Sequence, residues 1–201
     1  MNDLLIKTEI ENFITKSEIM SRKISYLQLF EYVFKNRNIR DFNIVETGTL
    51  RGVLAEAIPG DGGSTCLWGF FCKLTGNKCY TVDILPDAIE NCRKWTQEYK
   101  ESINYVVSDS VSFLENFNDR IDLLFLDSFD SPPQFMEQAS QHQLKEIESC
   151  YDKLKPGTLI LLDDAPPGLN GGKVKYSVNF LNEKGAKMLY HGDNQALFEK
   201  T

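Results

Sequence analysis

No C-x-x-C pair occurs in this sequence, and its five cysteines, Cys66, Cys72, Cys79, Cys92 and Cys150, are odd in number. All but Cys150 fall in or beside apolar runs, which argues against a disulfide framework and points to reduced core thiols. No apolar run approaches the length of a membrane span. The opening MNDLLIKTEIENF meets Asp3, Lys7 and Glu9 before a signal-peptide apolar region can form. The expectation is a soluble, cytoplasmic protein. Excess positive charge is missing too, for the formal net charge is -7. Neither a nucleic-acid backbone nor an anionic membrane is therefore expected as a partner. Internal repeats, low-complexity tracts and interdomain linkers are absent. With 201 residues, 42% of them hydrophobic, the chain suffices for one domain with a full core.

What is present is organised around Phe42 to Cys72, where an apolar strand over residues 43–46 ends in Glu46 and opens through glycines into a helix. Gly48, Gly52, Gly60, Gly62 and Gly63 allow sharp turns and a close backbone approach to a ligand. Ser64 and Thr65 are candidate caps for a helix beginning near Cys66. Strand, glycine turn and helix in that order make a nucleotide site at the carboxyl edge of a parallel sheet. No G-x-G-x-x-G occurs, so the dinucleotide fingerprint is not met. The stretch from Leu50 to Asp61 is too long for a tight turn, and its Pro59 and glycines make it a loop, placed to act as a lid.

Upstream, Met1 to Arg40 reads as helical. Ile6, Ile10, Phe13 and Ile14 keep helical spacing, and Leu27, Phe30 and Phe34 form a second stripe. Residues 15–18 and 25–28 both fit a capping box. These helices cover the sheet or form a homo-oligomer interface, which divides the chain into a helical extension over 1–40 and a main domain over 41–201. Downstream, strands are expected at 78–84, 103–107, 121–126 and 158–162. Helices are expected after Pro86, through Leu114 and Phe117, and from Gln134 to Leu154. A loop over 165–172, a helix over 173–182 and strands over 186–191 and 195–199 complete the chain, the last two joined by the hairpin signal Gly192-Asp193-Asn194. Such alternation predicts an α/β fold with a mostly parallel sheet, helices on both faces and one antiparallel closing strand.

Six acids fall at or just after strand ends: Glu46, Asp83, Asp109, Asp127, Asp163 and Asp164. In a parallel sheet these ends share one edge, so the acids converge on one crevice. Asp83 lies about twenty residues beyond Gly63, the separation expected of an acid that bonds ribose hydroxyls. Singly, each acid reads first as a helix cap or a solvated loop acid. Together they require cations or donors between them, since close carboxylates repel.

VETGT followed by GDGGST, then YTVDI, VVSDS, IDLLFLDS and LKPGTLILLDD, and the final helix and hairpin, resemble in their order the class I S-adenosylmethionine-dependent methyltransferases. The resemblance covers roughly Phe42 to the C-terminus and implies a Rossmann-like seven-stranded sheet with an antiparallel last strand. It implies further that Glu46, Gly48, Thr49, Gly63, Ser64 and Thr65 face the methionine part of S-adenosylmethionine. Asp83 then binds the ribose, Asp109 and Ser110 lie near adenine, and Asp127 borders the cofactor. Asp127 with Asp163-Asp164 looks like the metal site of O-methyltransferases that act on catechols and on sugars of natural products. Three carboxylates without histidine or thiolate are hard ligands that suit Mg²⁺, Mn²⁺ or Ca²⁺ and suit Zn²⁺ poorly. An ion there would hold a hydroxylated small-molecule substrate and acidify the hydroxyl to be methylated. The plainer reading of Asp163-Asp164 is a turn before Pro166-Pro167. Of the two histidines, His142 and His191, only His142 is a candidate general base, and Asp130 and Asp127 are others. Two further readings compete: a non-catalytic cofactor-binding protein, and a nucleotide-sugar or NAD-dependent oxidoreductase. Against the oxidoreductase stands the absence of G-x-G-x-x-G.

Overall fold

A computed structural model describes residues 1–52 and 63–201. The expected lid loop, with Gly60 and Gly62, falls almost wholly on residues 53–62 and so lies outside the described residues. Seven strands form one sheet in the order β3-β2-β1-β4-β5-β7-β6. They are β1 Ile44–Thr47, β2 Cys79–Asp83, β3 Ile103–Val107, β4 Leu123–Leu126, β5 Leu159–Asp163, β6 Lys187–Gly192 and β7 Gln195–Glu199. β1 to β5 pair in parallel, and β7 enters antiparallel between β5 and β6. Order reverses between β1 and β4, the place where an open α/β sheet splits to leave a crevice.

Among the described residues seven α-helices surround the sheet: α1 Asp3–Lys16, α2 Lys23–Asn36, α3 Ser64–Thr75, α4 Pro86–Trp95, α5 Ser110–Asn116, α6 Met136–Cys150 and α7 Lys175–Glu183. Strand residues alternate between two cores, as a period of two requires. Ile44, Leu123, Phe125, Leu159 and Leu161 face α1, α2 and α3, whereas Val45, Leu124, Leu126, Ile160 and Leu162 face the layer that holds α6 and α7. All five cysteines are free and buried. Among the described residues no helix is long and apolar enough to cross a membrane.

The N-terminal helices share the first core. Ile6, Ile10 and Ile14 of α1 and Tyr26, Leu29, Phe30 and Val33 of α2 pack with Trp68 and Phe71 of α3. Their apolar stripes are thus used within the chain, with Leu27 and Phe34 at the flank of the stripe.

Neither capping box forms. Thr15 lies in the last turn of α1, with its hydroxyl donating to the Glu11 carbonyl at 2.8 Å, and Asn2 caps that helix by accepting from Leu5 N–H. The cap of α2 comes from the other end of the chain, where Asp193 Oδ2 accepts from the N–H of Ile24 and Ser25 at 2.9 and 3.4 Å. Asp193 and Asn194 both have positive φ, 50° and 60°, the geometry that a two-residue hairpin turn demands. The predicted 134–154 helix keeps only its centre as α-helix, with 3₁₀ turns at Pro133–Phe135 and Tyr151–Lys153.

Candidate active site

In register, Thr47 of β1 lies beside Val82 of β2 and Leu126 of β4, and Leu126 lies beside Leu162 of β5. Asp83, Asp127 and Asp163 therefore leave the sheet at one level of one edge, as their positions in the sequence predict. Gly48 sits in the middle, with φ +81° and its N–H on the Val82 carbonyl at 2.8 Å. A Cβ there would stand 2.5 Å from the Asp127 carbonyl oxygen. The glycine lets the turn after β1 close against the end of β4, dividing the edge into a β2-β3 side and a β4-β5 side.

On the first side Glu46 is fully enclosed. Its Oε1 accepts from Ser64 Oγ at 2.5 Å and Trp68 Nε1 at 2.9 Å, and its Oε2 from Thr65 Oγ1 at 2.6 Å and Thr81 Oγ1 at 2.8 Å. Burial pushes this carboxyl above its ordinary value, against the four hydrogen bonds. Ser64 and Thr65 do not cap α3, whose N-cap is Gly63 at φ +69°. They bind its first turn to β1 instead, and Thr65 Oγ1 also accepts from Leu50 N–H at 3.1 Å. Both oxygens of Glu46 are spent on protein donors, so its part here is to hold the turn that would meet a ligand.

Asp83 ends β2 with Oδ1 accepting from Leu85 N–H at 2.9 Å, and its carboxyl also takes the Thr49 N–H. Burial raises its pKa, with nearby Arg51 opposing. Arg51 in turn binds Asp130 at 2.9 Å, which ties the segment after β4 to the Asp83 side. Thr49 Oγ1 lies 2.8 Å from Thr81 Oγ1, in hydrogen-bond contact with it. Asp109 caps α5 by accepting from Ser112 N–H at 2.8 Å, a bond that lowers its pKa. Ser110 Oγ lies 3.0 Å from His142 Nε2, which is 3.6 Å from Glu146 Oε1, and Phe129 packs on the imidazole at 5.5 Å between ring centroids. His142 thus joins Ser110 and not Asp127, Asp163 or Asp164. His191 lies in β6.

On the second side Asp127, Asp163 and Asp164 each bring a carboxylate oxygen within 4.8 Å of the others. Two cations that the sequence did not reveal are bound to them. Lys173 Nζ lies 3.1 Å from Asp127 Oδ1 and 3.8 Å from Asp164 Oδ2, with the lysine only 1% exposed. Arg22 places Nε 3.1 Å from Asp163 Oδ1 and a terminal nitrogen 3.4 Å from Asp164 Oδ1. Ser131 Oγ donates to Asp164 Oδ2 at 2.8 Å and Asn194 Nδ2 to Asp164 Oδ1 at 3.3 Å. Burial and then Asp163 push the Asp127 carboxyl well above its ordinary value, with Lys173 pulling the other way. The donor set has the chemistry of a hard-cation site, and two nitrogen cations, Lys173 and Arg22, already balance two of its three carboxylates. As arranged, these acids hold an ammonium and a guanidinium.

Comparison with known proteins follows the same outline. The family described as "Methyltransferase domain" matches residues 59–165. No curated protein matches the chain. Among solved structures, the SAH-bound methyltransferase PaMTH1 of Podospora anserina is 16% identical, with 98% of this chain and 88% of that one covered at a TM-score of 0.60. An O-methyltransferase from Bacillus cereus in complex with SAH is also 16% identical, covering 98% and 91% at 0.55. MycE, a methyltransferase of the mycinamycin pathway in complex with Mg and SAH, is 15% identical and covers 92% and 55% at 0.56. At such identities the likeness is one of fold.

Proposed function

This chain belongs to the methyltransferase-domain family, and on that premise we propose that it transfers the methyl group of S-adenosylmethionine to a hydroxyl of a small molecule such as a sugar or a phenol. One observation supports the reading: Gly48 packs against Asp127, with Asp83 on one side of that contact and the cluster of Asp127, Asp163, Asp164, Lys173 and Arg22 on the other. S-adenosylmethionine supplies an electrophilic methyl on sulfonium. The acceptor oxygen forms the new C–O bond as the C–S bond breaks, and S-adenosylhomocysteine leaves.

On this reading Asp83 accepts the ribose hydroxyls, and Glu46 keeps the β1 turn and the first turn of α3 in place. Asp109 and Ser110 border the adenine, where His142 holds Ser110. We assign the acceptor's proton to Asp127, whose partly exposed carboxylate stands just beyond β4 at the Gly48 turn. Asp130, paired with Arg51, serves the cofactor side.

A cation-assisted form of the same reaction is the second reading. The three convergent carboxylates favour it, and MycE carries Mg. In that form Asp127, Asp163 and Asp164 would hold Mg²⁺ or Mn²⁺, which would acidify the acceptor hydroxyl.

Asp83→Ala tests the cofactor assignment. Charge-assisted hydrogen bonds contribute roughly 1.5–3 kcal/mol each, so calorimetry should show S-adenosylhomocysteine bound at least about tenfold more weakly, with the fold intact. In the wild type the ligand needs the ionised carboxylate. Affinity should therefore hold at neutral pH and fall as pH drops through the Asp83 pKa, which burial sets above the usual range. Unchanged affinity in a folded Asp83→Ala protein would remove Asp83 from the site.

A further inference from the structure

We propose that Lys173 is the resident cation of the strand-end acids, that its ammonium takes the place a divalent ion would hold between Asp127 and Asp164, and that methyl transfer here needs no metal. The inference rests on the methyltransferase reading above and settles how its acceptor side is charged.

Geometry makes the case. The ammonium touches Asp127 at 3.1 Å and faces Asp164 at 3.8 Å, so it already occupies the space between two of the three prospective ligands. The third, Asp163, is engaged by Arg22 at 3.1 Å. Three carboxylates face two fixed cations, and a divalent ion entering beside them would meet a buried ammonium on the same oxygens. Like charges brought that close repel strongly in a site shielded from water. Lys173 has little room to withdraw, since it is fully buried.

The loop that delivers Lys173 is shaped for it. Gly172 has φ +66°, and a Cβ there would meet Pro166 Cδ at 2.8 Å and the Asp164 carbonyl at 3.2 Å. The loop therefore folds back on the segment that carries Asp164, and Ser140 Oγ holds the Gly172 carbonyl at 3.3 Å. The ammonium is thus set among acids, with Asp127 in hydrogen-bond contact and Asp164 beside it. An ammonium has three N–H groups. One is donated to Asp127, and Asp164 completes the pair of acids about the ammonium as an ion-pair partner at 3.8 Å.

The test is a titration with Mn²⁺ followed by the electron paramagnetic resonance of the free ion, on the full chain with S-adenosylhomocysteine present. Wild type should leave the signal of up to about 1 mM Mn²⁺ unchanged, a concentration at the weak end of carboxylate sites. Lys173→Met should bind Mn²⁺ at least about tenfold more tightly than wild type, and adding Asp127→Asn should abolish that gain. Wild-type binding that Asp127→Asn removes would overturn the proposal, as would a folded Lys173→Met protein that gains none. Should Lys173→Met fail to fold, wild type against Asp127→Asn alone decides: no binding supports the proposal, and binding lost with Asp127 refutes it. Loss of S-adenosylhomocysteine binding in wild type would instead count against the methyltransferase reading, so the two failures are distinct.

Discussion

Glu46→Ala should lower the free energy of unfolding by about 3–5 kcal/mol, because unpaired buried donors cost roughly 1–3 kcal/mol each. The substitution takes away the acceptor of Ser64, Thr65, Thr81 and Trp68, all of them buried. The total stays below four full penalties, since Thr81 can still donate to Thr49 Oγ1 and Thr65 still accepts from Leu50 N–H. Trp68 has no such recourse, because an indole N–H only donates. Glu46→Gln should cost no more than about 1 kcal/mol, for its carbonyl serves Trp68 and Ser64 while the two threonine hydroxyls turn to accept from the amide. The pH dependence follows from burial. The folded-state pKa of Glu46 is raised, so its contribution is greatest below the unfolded pKa and is lost as pH rises through the folded one. Glu46→Gln should flatten that decline. Urea unfolding of the three proteins at several pH values measures both effects, and an alanine variant as stable as wild type would show that the network holds nothing together.

Gly48→Ala should destabilise the protein by about 2–5 kcal/mol and weaken ligand binding with it. Two costs add: the left-handed conformation at φ +81°, about 1–2 kcal/mol for a residue with a Cβ, and overlap with the Asp127 backbone, about 1–3 kcal/mol for overpacking. The overlapped atoms are the carbonyl oxygen at 2.5 Å, the carbonyl carbon at 2.8 Å and the Ser128 nitrogen at 3.0 Å, none of which can rotate away. Relief must come from parting β1 and β4, which strains the Asp127 N–H bond to the Thr47 carbonyl at 2.9 Å and moves Asp127 itself. Gly63→Ala is the control. It has a similar φ of +69°, but among the described residues the atoms nearest its new Cβ belong to the flexible side chains of Met20 and Ile19, at 3.0 to 3.2 Å. Thermal unfolding should therefore rank Gly48→Ala as the less stable variant, and the reverse order would refute the close approach of the two strand ends.

The difference between what the sequence showed and what it hid is one of chain distance. Asp83, Asp127 and Asp163 were legible because an apolar strand that ends in an acid declares its own edge of the sheet. The sheet was legible because βαβ connections have one favoured hand. Arg22 and Lys173 were not, since one lies in a polar link between helices and the other at the end of a glycine and proline loop. Their partners lie 141 and 46 residues away. Asp193 looked like a turn residue and is one, yet it also caps α2 across 169 residues. Local signals likewise misplaced Ser64 and Thr65 as caps. Their hydroxyls turn to Glu46, because a buried carboxylate that lacked donors would cost more than an uncapped helix. The rule that close carboxylates need cations among them held, but the cations are side chains of this chain.

The central claim, a methyl-donor site at the β1-β4 crevice, is tested most directly by calorimetric titration of the wild-type protein with S-adenosylhomocysteine and, in parallel, with NAD. The account predicts saturable one-to-one binding of S-adenosylhomocysteine and no heat of binding with NAD. Binding of NAD with none of S-adenosylhomocysteine would contradict it and return the crevice to a dinucleotide.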